Sequence, residues 1–375
     1  MRGWGSILKK IILTGGGTAG HITPNLAILP LLRTAGFDVS YIGLKNGMEE
    51  GLIRPTGVPF YGIKGGKLRR YADFKNFTDL FRIGAGFTEA ISLMHRIKPD
   101  VLFSKGGFVS SPVVWAAKLC GVPVVTHESD STIGLANRIS VPFAKKVCYT
   151  FPETGTALPS EKGVLTGLPI REELLHGQKE KGLQFCGFSS DKPVLVITGG
   201  SQGAAFINAM VRRCLPDLLK TFQICHLCGK GNLDTKLEGT PGYRQFAYIS
   251  EELPDIFAMA DLVITRGGST SLFELLALQK PMVIIPYSRK ASRGDQIVNG
   301  RSFKKQGFGE LLMETDESGM DMMPAAFLRT VQRVYDHREQ YVEQMRSSPA
   351  RGGASNVFNV ICEVAGVSEA AGISE

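Results

Sequence analysis

The sequence has no long uninterrupted hydrophobic run. Its most apolar stretch, residues 113–125, is broken by Lys118 and Gly121 and falls short of the ~18 residues that span a membrane. Near the N-terminus only residues 11–13 form an apolar run before a cluster of glycines, which is too short for the core of a signal peptide. We therefore expect a cytosolic protein.

The sequence also has no regular cysteine framework. Its seven cysteines are irregularly spaced, and an odd number in a large cytosolic chain is typical of reduced thiols. Cys225 and Cys228 form a C-x-x-C pair in or just after an apolar strand, with no second pair to complete a zinc site. We expect these thiols to be buried, and we predict no metal site.

Acidic residues are scarce in the first part of the chain. Residues 1–170 hold 20 Lys and Arg against 11 Asp and Glu, while residues 171–375 are nearly balanced and the net charge is +8. The excess is densest at Lys64, Lys67, Arg69, Arg70 and Lys75. No nucleic-acid-binding motif accompanies these cations, so we predict no nucleic-acid partner. A solvated surface is the simplest interpretation. An anionic membrane surface is the better functional one, since each nearby cation contributes about 1 kcal/mol there.

What the chain does contain is a regular alternation of strand and helix patterns. Apolar runs at residues 11–14, 39–42, 101–104, 122–126 and 147–149 alternate with helical patterns that include residues 49–54 and 77–97. Such alternation predicts an α/β fold of βαβ units, with ligands at the carboxyl ends of parallel strands. The loops at residues 15–21, 105–108 and 127–130 are therefore candidate binding loops.

The first of these loops follows the strand in IILTGGGTAGHITPN, residues 11–25. Glycines let a backbone approach a bulky anion, and the start of the next helix favours phosphate. A P-loop would need Lys and Ser or Thr where His21 and Ile22 stand. A dinucleotide site would need an acid after the second strand, but the nearby Asp38 precedes it. Both interpretations are disfavoured, and a diphosphate-bearing ligand remains the prediction.

The same opening recurs once in the second part of the chain, and a further glycine turn follows it. VLVITGGSQGAAFIN at residues 194–208 repeats the strand, glycine turn and helix start. LVITRGGSTSLFELLAL at residues 262–278 adds a third glycine turn, in which Glu274 stands one helical turn in, where a carboxylate can accept from ribose hydroxyls or simply stabilise the helix dipole. Two openings this far apart predict two doubly wound domains whose loops face across a cleft.

Taken in order, GGGTAGH, SKGGF, the His127-Glu128 pair, GGSQGA, RGGSTSLFE and GDQIVNG closely resemble the MurG family, a GT-B branch of glycosyltransferase family 28. The resemblance covers about residues 10–310. It implies two Rossmann-like doubly wound domains: an acceptor-binding, membrane-associating domain at residues 1–166 and a domain for the donor UDP-GlcNAc at residues 167–350. Residues 351–375 would return to the first domain.

The resemblance also implies a donor site, carried over residue by residue. Ser201, Thr270 and Ser271 would bind the diphosphate, Glu274 the ribose, the backbone of Ile249 the uracil, Arg171 the UDP end and Gln296 the GlcNAc hydroxyls. Thr18, Ala19 and Gly20 would close over the donor sugar from the first domain. No cofactor is implied.

The implied reaction is inverting transfer of GlcNAc to the C4 hydroxyl of MurNAc in undecaprenyl-pyrophosphoryl-MurNAc-pentapeptide, a step of peptidoglycan synthesis. The turn at Gly15, Gly16 and Gly17 would hold the acceptor pyrophosphate together with His21. A hydroxyl nucleophile needs a general base. His21 is the first choice, with Glu128 and Asp130 as alternatives, and a hydrogen-bonding role for His21 is an equal possibility.

Two departures from the family pattern concern the candidate site. Ala19 stands where the family has glycine, and Asp130 stands where many members have asparagine, so Asp130 would accept from a sugar hydroxyl or repel a phosphate.

Because the acceptor is a lipid, Lys67, Arg69, Arg70 and Lys75 would face anionic lipid at the cytoplasmic face of the cell membrane, as a peripheral protein. Phe77, Phe81, Ile83 and Phe87 are either further contacts or core residues. Two other functions stay open: a related transferase with another lipid acceptor such as diacylglycerol, and a non-catalytic sugar-nucleotide-binding module.

Overall fold

The structure, a computed structural model, describes residues 9–66, 75–200, 203–288, 294–315 and 319–367, without the side chains of Ala19 and residues 75–80. The chain divides into two compact units, one formed by Met1–Arg171 with Gly352–Glu375 and the other by Glu172–Arg351. These junctions fall at residues 171 and 351, slightly later than the expected 166 and 350.

The first unit is built on a seven-stranded parallel sheet in the order β3-β2-β1-β4-β5-β6-β7. Its strands are β1 (Lys10–Thr14), β2 (Asp38–Leu44), β3 (Phe60–Ile63), β4 (Val101–Ser104), β5 (Val124–Glu128), β6 (Lys146–Tyr149) and β7 (Gly163–Leu165). Its helices are α1 (Thr23–Thr34), α2 (Met48–Ile53), α3 (Lys75–Ile97), α4 (Ser110–Leu119), α5 (Leu135–Ser140), α6 (Pro152–Gly155) and, from the end of the chain, α15 (Gly353–Ala365).

The second unit is built on a six-stranded parallel sheet in the order β10-β9-β8-β11-β12-β13. Its strands are β8 (Val194–Thr198), β9 (Gln223–Leu227), β10 (Tyr243–Phe246), β11 (Leu262–Thr265), β12 (Met282–Ile284) and β13 (Gly309–Leu311). Its helices are α7 (Lys179–Cys186), α8 (Ala205–Arg213), α9 (Leu215–Thr221), α10 (Leu253–Met259), α11 (Ser269–Ala277), α12 (Asp295–Lys305), α13 (Pro324–Asp336) and α14 (Arg338–Arg346).

The central strand of each sheet explains where the glycine turns lie. Strands buried on both faces read as continuous apolar runs, as in Ile11, Ile12 and Leu13 of β1, which are all buried. In the first unit β1 lies between β2 and β4, and in the second β8 lies between β9 and β11. The order in which successive strands are added to each parallel sheet reverses at β1 and at β8, and ligands bind outside the carboxyl ends of strands at such a point. The turns after β1 and β8 occupy those positions, and the predicted α/β fold with two Rossmann-like sheets is confirmed.

The last helix completes the core of the first unit. Val357, Phe358 and Ile361 of α15 are buried in the same cluster as Ile11 and Leu13 of β1. Asn356 Nδ2 also donates to the carbonyl oxygen of Thr166 at 2.9 Å. The chain therefore crosses back after residue 351 because this face of the first sheet needs an apolar cover.

Among the described residues, no helix has both the length and the apolar character needed to cross a membrane. The seven cysteines are free thiols.

Candidate active site

A buried network of polar side chains holds the glycine turn after β1 in place. Tyr41 on β2 donates its hydroxyl to the carbonyl oxygen of Gly15 at 2.6 Å. Asn25, near the start of α1, donates to the Tyr41 hydroxyl oxygen at 3.1 Å and to the Thr14 carbonyl oxygen at 3.3 Å. Burial raises the pKa of Tyr41, so its hydroxyl stays a donor. The turn is thus fixed by side chains from two neighbouring elements.

A second glycine loop, which follows β4, packs directly on the first. Gly107 has a φ of +86°, and a Cβ atom on it would overlap the backbone carbonyl of Gly16. A Cβ on Gly16 would in turn lie 2.5 Å from Oε1 of the buried Glu49. Only glycine fits at residue 107, because two backbones approach within contact distance there. The candidate acceptor loops at residues 15–21 and 105–108 therefore form one surface.

His21 ends a short 3-10 helix at Ala19–His21 and is half-buried. Its ring Nδ1 is shielded from solvent and has no hydrogen-bond partner in the described part of the chain. Burial, reinforced by the charge of Lys105, lowers its pKa to about 4, against the opposing effects of Asp130 and of a hydrogen bond with the Lys105 backbone. The imidazole is therefore neutral at pH 7 and able to accept a proton.

Lys105 is the most unusual residue of this surface. It directly follows β4 and is fully buried, with 0% of its surface exposed. Its Nζ has no hydrogen-bond partner among the described residues. Burial lowers its pKa to about 8, while the charges of Glu128 and Asp130 counteract that change. Motif reading passed over this side chain, although a lysine placed between an apolar strand and two glycines was a visible signal.

Glu128 organises the loop that follows β5. Its Oε1 accepts from the backbone N–H groups of Ser129 at 2.9 Å and Asp130 at 3.1 Å. Its Oε2 accepts from the Gly134 N–H and from Asn137 Nδ2, both at 2.9 Å. Four donors surround this carboxylate, so in the structure Glu128 holds the loop in its conformation. The suggestion that it is an alternative base stays a prediction.

The neighbours of Glu128 differ sharply in exposure. His127 is fully buried, its Nε2 lies 2.9 Å from the Gly167 carbonyl oxygen, and burial holds its pKa well below the ordinary value. Asp130 is half-buried, and Thr154 donates to its carbonyl oxygen at 3.2 Å.

In the second unit, the turn after β8 packs against the end of β9. A Cβ on Gly203, whose φ is +75°, would overlap the carbonyl oxygen of Cys228. Asn208 on α8 donates to the same carbonyl oxygen at 2.9 Å. Cys225 and Cys228 are both buried. Ser201 lies outside the described residues.

The third glycine turn leads into α11, where Thr270 and Ser271 occupy the first helical turn. The helix begins after Gly268 with no side-chain cap. Both side chains are half-buried, and Glu274 stands one turn further on, also half-buried. Uncapped N–H groups beside two hydroxyls form an anion-binding arrangement. The structure therefore brings together these three predicted donor-site residues on one short helix.

Gln296, at the start of α12, is held beside the same turn. Its Oε1 accepts from the Tyr287 N–H at 3.2 Å, which leaves its amide N–H groups directed elsewhere. Asn299 Nδ2 donates to the Gly267 carbonyl oxygen at 3.1 Å, so α12 is tied to the third glycine turn.

An ion pair that motif reading missed lies beneath this part of the second unit. Arg266 Nη1 is 2.6 Å from Glu314 Oε1, and the guanidinium lies 4.0 Å from the centroid of the Tyr287 ring. The backbone N–H of Ser288 donates to Glu314 Oε2 at 3.2 Å. The pair thus fixes the chain around Tyr287, whose N–H holds Gln296.

Two other predicted donor residues lie elsewhere. Ile249 is buried between β10 and α10. Arg171 is exposed, and it is the residue at which the chain leaves the first unit. Thr18 and Gly20 are exposed at the tip of the first glycine turn.

The predicted membrane face is only partly visible. Lys67, Arg69 and Arg70 lie outside the described residues, and Lys75 begins α3 without a described side chain. Of the aromatic and aliphatic candidates on α3, Phe81 is 66% exposed, Ile83 is buried, and Phe87 packs against the core. Phe81 is therefore the described residue of this set that can contact lipid.

Two parallel-sheet units, each with glycine turns at the carboxyl ends of its central strands, are the architecture of a GT-B glycosyltransferase. The chain matches the glycosyltransferase family 28 N-terminal domain over residues 11–149 and the C-terminal domain of that family over residues 194–359. The chain belongs to glycosyltransferase family 28, as its motifs predicted.

Within that family, the chain is similar to proteins of one particular activity. The chain is 52% identical over 354 residues to the UDP-N-acetylglucosamine--N-acetylmuramyl-(pentapeptide) pyrophosphoryl-undecaprenol N-acetylglucosamine transferase of Lachnospira eligens, covering 94% of this chain and 99% of that protein. It is 49% identical over 353 residues to the transferase of the same name from Clostridium tetani, covering 94% and 97%. The crystal structure of Acinetobacter baumannii MurG superposes with a TM-score of 0.73 at 25% identity, covering 95% and 99% of the two chains.

Proposed function

We propose that this chain transfers GlcNAc from UDP-GlcNAc to the C4 hydroxyl of MurNAc in undecaprenyl-pyrophosphoryl-MurNAc-pentapeptide. The observation that carries the proposal is the neutral, half-buried His21 on a glycine surface in the first unit, in a chain whose named relatives catalyse GlcNAc transfer. An acceptor hydroxyl must lose a proton as it attacks, and a neutral imidazole accepts it.

In the reaction, the C4 oxygen of MurNAc forms a bond to the anomeric carbon of GlcNAc while the bond from that carbon to the UDP oxygen breaks. The hydroxyl proton passes to His21, and UDP leaves with the electron pair of the broken bond. Attack from the opposite face inverts the anomeric configuration. The atoms and charges of the transfer are accounted for by these two substrates and the proton passed to His21.

The donor is assigned to the second unit. The start of α11, with the hydroxyls of Thr270 and Ser271, stabilises the charge that develops on the leaving diphosphate. Glu274 accepts from the ribose hydroxyls, and the amide of Gln296 donates to GlcNAc because Tyr287 holds its Oε1. Ser201, Arg171 and the backbone of Ile249 complete the assignment, with Thr18, Ala19 and Gly20 of the first unit toward the donor sugar.

The acceptor is assigned to the first unit. Gly15, Gly16 and Gly17 present a tightly packed backbone to its pyrophosphate, with Phe81 and the basic residues Lys67, Arg69, Arg70 and Lys75 toward an anionic bilayer. We place the chain at the cytoplasmic face of the cell membrane as a peripheral protein.

An acceptor assay tests the reaction. Purified enzyme is incubated with labelled UDP-GlcNAc and either the lipid-linked MurNAc-pentapeptide or diacylglycerol. We expect product with the first acceptor alone. Product with diacylglycerol alone would identify a different lipid acceptor, and UDP-GlcNAc binding without product from either would identify a binding module.

A flotation assay tests the membrane assignment. Reversing Lys67, Arg69 and Arg70 to Glu should reduce binding to phosphatidylglycerol vesicles by about 100-fold or more, since each cation contributes about 1 kcal/mol. The control reverses three exposed cations of the second unit, Lys179, Lys181 and Arg329, which changes the net charge equally. Equal loss in both variants would show that net charge, and not this face, drives binding.

A further inference from the structure

The second unit holds an ion pair almost completely out of solvent, at the edge of the sheet to which the donor is assigned. Arg266 directly follows β11 and Glu314 lies shortly after β13, and their side chains are 6% and 11% exposed. Nη1 of Arg266 donates to Oε1 of Glu314 at 2.6 Å and to the carbonyl oxygen of Ile285, just after β12, at 2.9 Å. A buried ion pair often stabilises a fold no better than two apolar side chains of the same volume, so stability alone does not explain this one.

The two partners hold the segment that follows β12. The guanidinium of Arg266 lies 4.0 Å from the centroid of the Tyr287 ring, a cation–π contact that is strengthened where water is excluded. Oε2 of Glu314 accepts from the backbone N–H of the next residue, Ser288, at 3.2 Å. The backbone at Tyr287 is thus held through its own ring and through the residue that follows it.

This backbone in turn orients the side chain of Gln296. The Tyr287 N–H donates to Oε1 of Gln296 at 3.2 Å. A backbone N–H can only donate, so the contact distinguishes the amide oxygen from the amide nitrogen and fixes the direction in which the NH₂ group points. The third glycine turn packs on the same residue, because a Cβ on Gly267 would lie 2.3 Å from the Gln296 carbonyl oxygen and 3.1 Å from its Cβ.

We propose that Arg266, Glu314 and Tyr287 are positioning residues for recognition of the donor sugar. The ion pair fixes Tyr287, and the Tyr287 N–H orients the amide of Gln296 so that it donates to a sugar hydroxyl. The inference rests on the proposed function, in which Gln296 contacts GlcNAc. Loss of the pair should therefore weaken recognition of the sugar and leave recognition of UDP intact.

The test is calorimetric binding of UDP-GlcNAc and of UDP to the full-length protein, because UDP lacks the sugar. A pair variant combines Arg266→Met with Glu314→Leu, which removes both charges together and leaves neither one unpaired in the interior. Its affinity for UDP-GlcNAc should fall about tenfold, the effect of one misplaced hydrogen bond, while its affinity for UDP stays at the wild-type value.

A double-mutant cycle separates positioning from a general loosening of the site. Gln296→Ala should lose affinity for UDP-GlcNAc, and adding the pair variant to it should cause no further loss, because the group that the pair positions is already gone. Tyr287→Phe keeps the ring on the guanidinium and should retain the affinity that Tyr287→Ala loses. The matched control is Lys304→Met, which removes an ion pair with Glu310 at the other end of α12 and should change neither affinity.

Equal losses for UDP and UDP-GlcNAc in the pair variant would overturn the inference, as would a full further loss in the Gln296→Ala background or an unchanged affinity in Gln296→Ala itself. If the pair variant does not fold, the comparison of Tyr287→Ala with Tyr287→Phe decides in the same way.

Transfer to the lipid-linked acceptor is measured separately, so that the two hypotheses can fail independently. If the binding pattern is as expected but wild type transfers no GlcNAc, the positioning role stands and the proposed reaction fails. If wild type transfers GlcNAc but the losses in the cycle simply add, the reaction stands and the positioning role fails.

Discussion

Two histidines, one in each unit, show how similar surroundings serve different ends. His226 on β9 is fully buried, with Nδ1 2.9 Å from the Tyr243 hydroxyl and Nε2 2.9 Å from Asn208 Oδ1. His21 is only half-buried, and its Nδ1 has no hydrogen-bond partner in the described part of the chain. Burial is the largest effect on both, lowering the pKa of His226 to about 3 and that of His21 to about 4.

The two rings differ in how many of their nitrogens are hydrogen-bonded to the chain. A histidine with both ring nitrogens hydrogen-bonded to its own chain links neighbouring elements. Neither nitrogen is then available to a substrate. A neutral histidine whose ring is only half-buried and is not bonded through both nitrogens to its own chain, at the carboxyl end of a sheet, can take up a proton. A shifted pKa therefore identifies a reactive group only together with its hydrogen bonds.

The largest expected effect is a loss of activity when His21 is replaced. His21→Gln should lower kcat by about 100- to 10,000-fold, the usual contribution of general base catalysis, because glutamine cannot accept the proton. The KM for UDP-GlcNAc and the unfolding temperature should stay close to wild type. Steady-state kinetics and thermal unfolding check this, and normal turnover would remove His21 from the chemistry.

The converse change should act on stability. His226→Leu removes two buried hydrogen bonds and takes away the His226 partner of the Tyr243 hydroxyl and of Asn208 Oδ1, so the free energy of unfolding should fall by about 1–3 kcal/mol. Turnover per folded molecule should be unchanged. Denaturant unfolding measures the loss, with the exposed His176→Leu as the matched control. A loss of turnover in the still-folded variant would contradict a purely structural His226.

The pH dependence of stability sharpens the same comparison. The folded-state pKa of His226 lies below its unfolded value, so the unfolded chain binds the extra proton and stability is lost as pH falls from about 6.5 toward 3. Between pH 7 and pH 5, wild type should lose about 2 kcal/mol more unfolding free energy than His226→Leu. Denaturant midpoints at the two pH values measure this, and parallel losses would show that His226 titrates normally.

The smallest effect concerns the donor site of the second unit. Thr270→Val removes one hydroxyl from the start of α11 and should raise the KM for UDP-GlcNAc about tenfold, with the acceptor KM unchanged. Thr235→Val, an exposed threonine of the same unit, serves as the control. Equal donor KM values in both variants would place the diphosphate elsewhere.

Much of the fold and part of the candidate site follow from local patterns. The apolar runs and glycine turns place β1, β8 and β11 and the loops after them, because a buried parallel strand must be continuously apolar and a tight turn needs glycine. The helix predicted for residues 77–97 is observed as α3 at Lys75–Ile97. The motifs also place His21 in a turn and Thr270 at a helix start.

What the sequence by itself determined is the architecture, the family and the positions of the glycine loops, since these depend on periodicity and on residues that stand together in the chain. Only the tertiary structure decided which side chains act on one another across the sheet. Lys105 follows β4, Glu128 and Asp130 follow β5, and His21 follows β1. These loops lie at one edge of the sheet because parallel strands end at the same edge, and two of the loop backbones meet where Gly107 packs on Gly16.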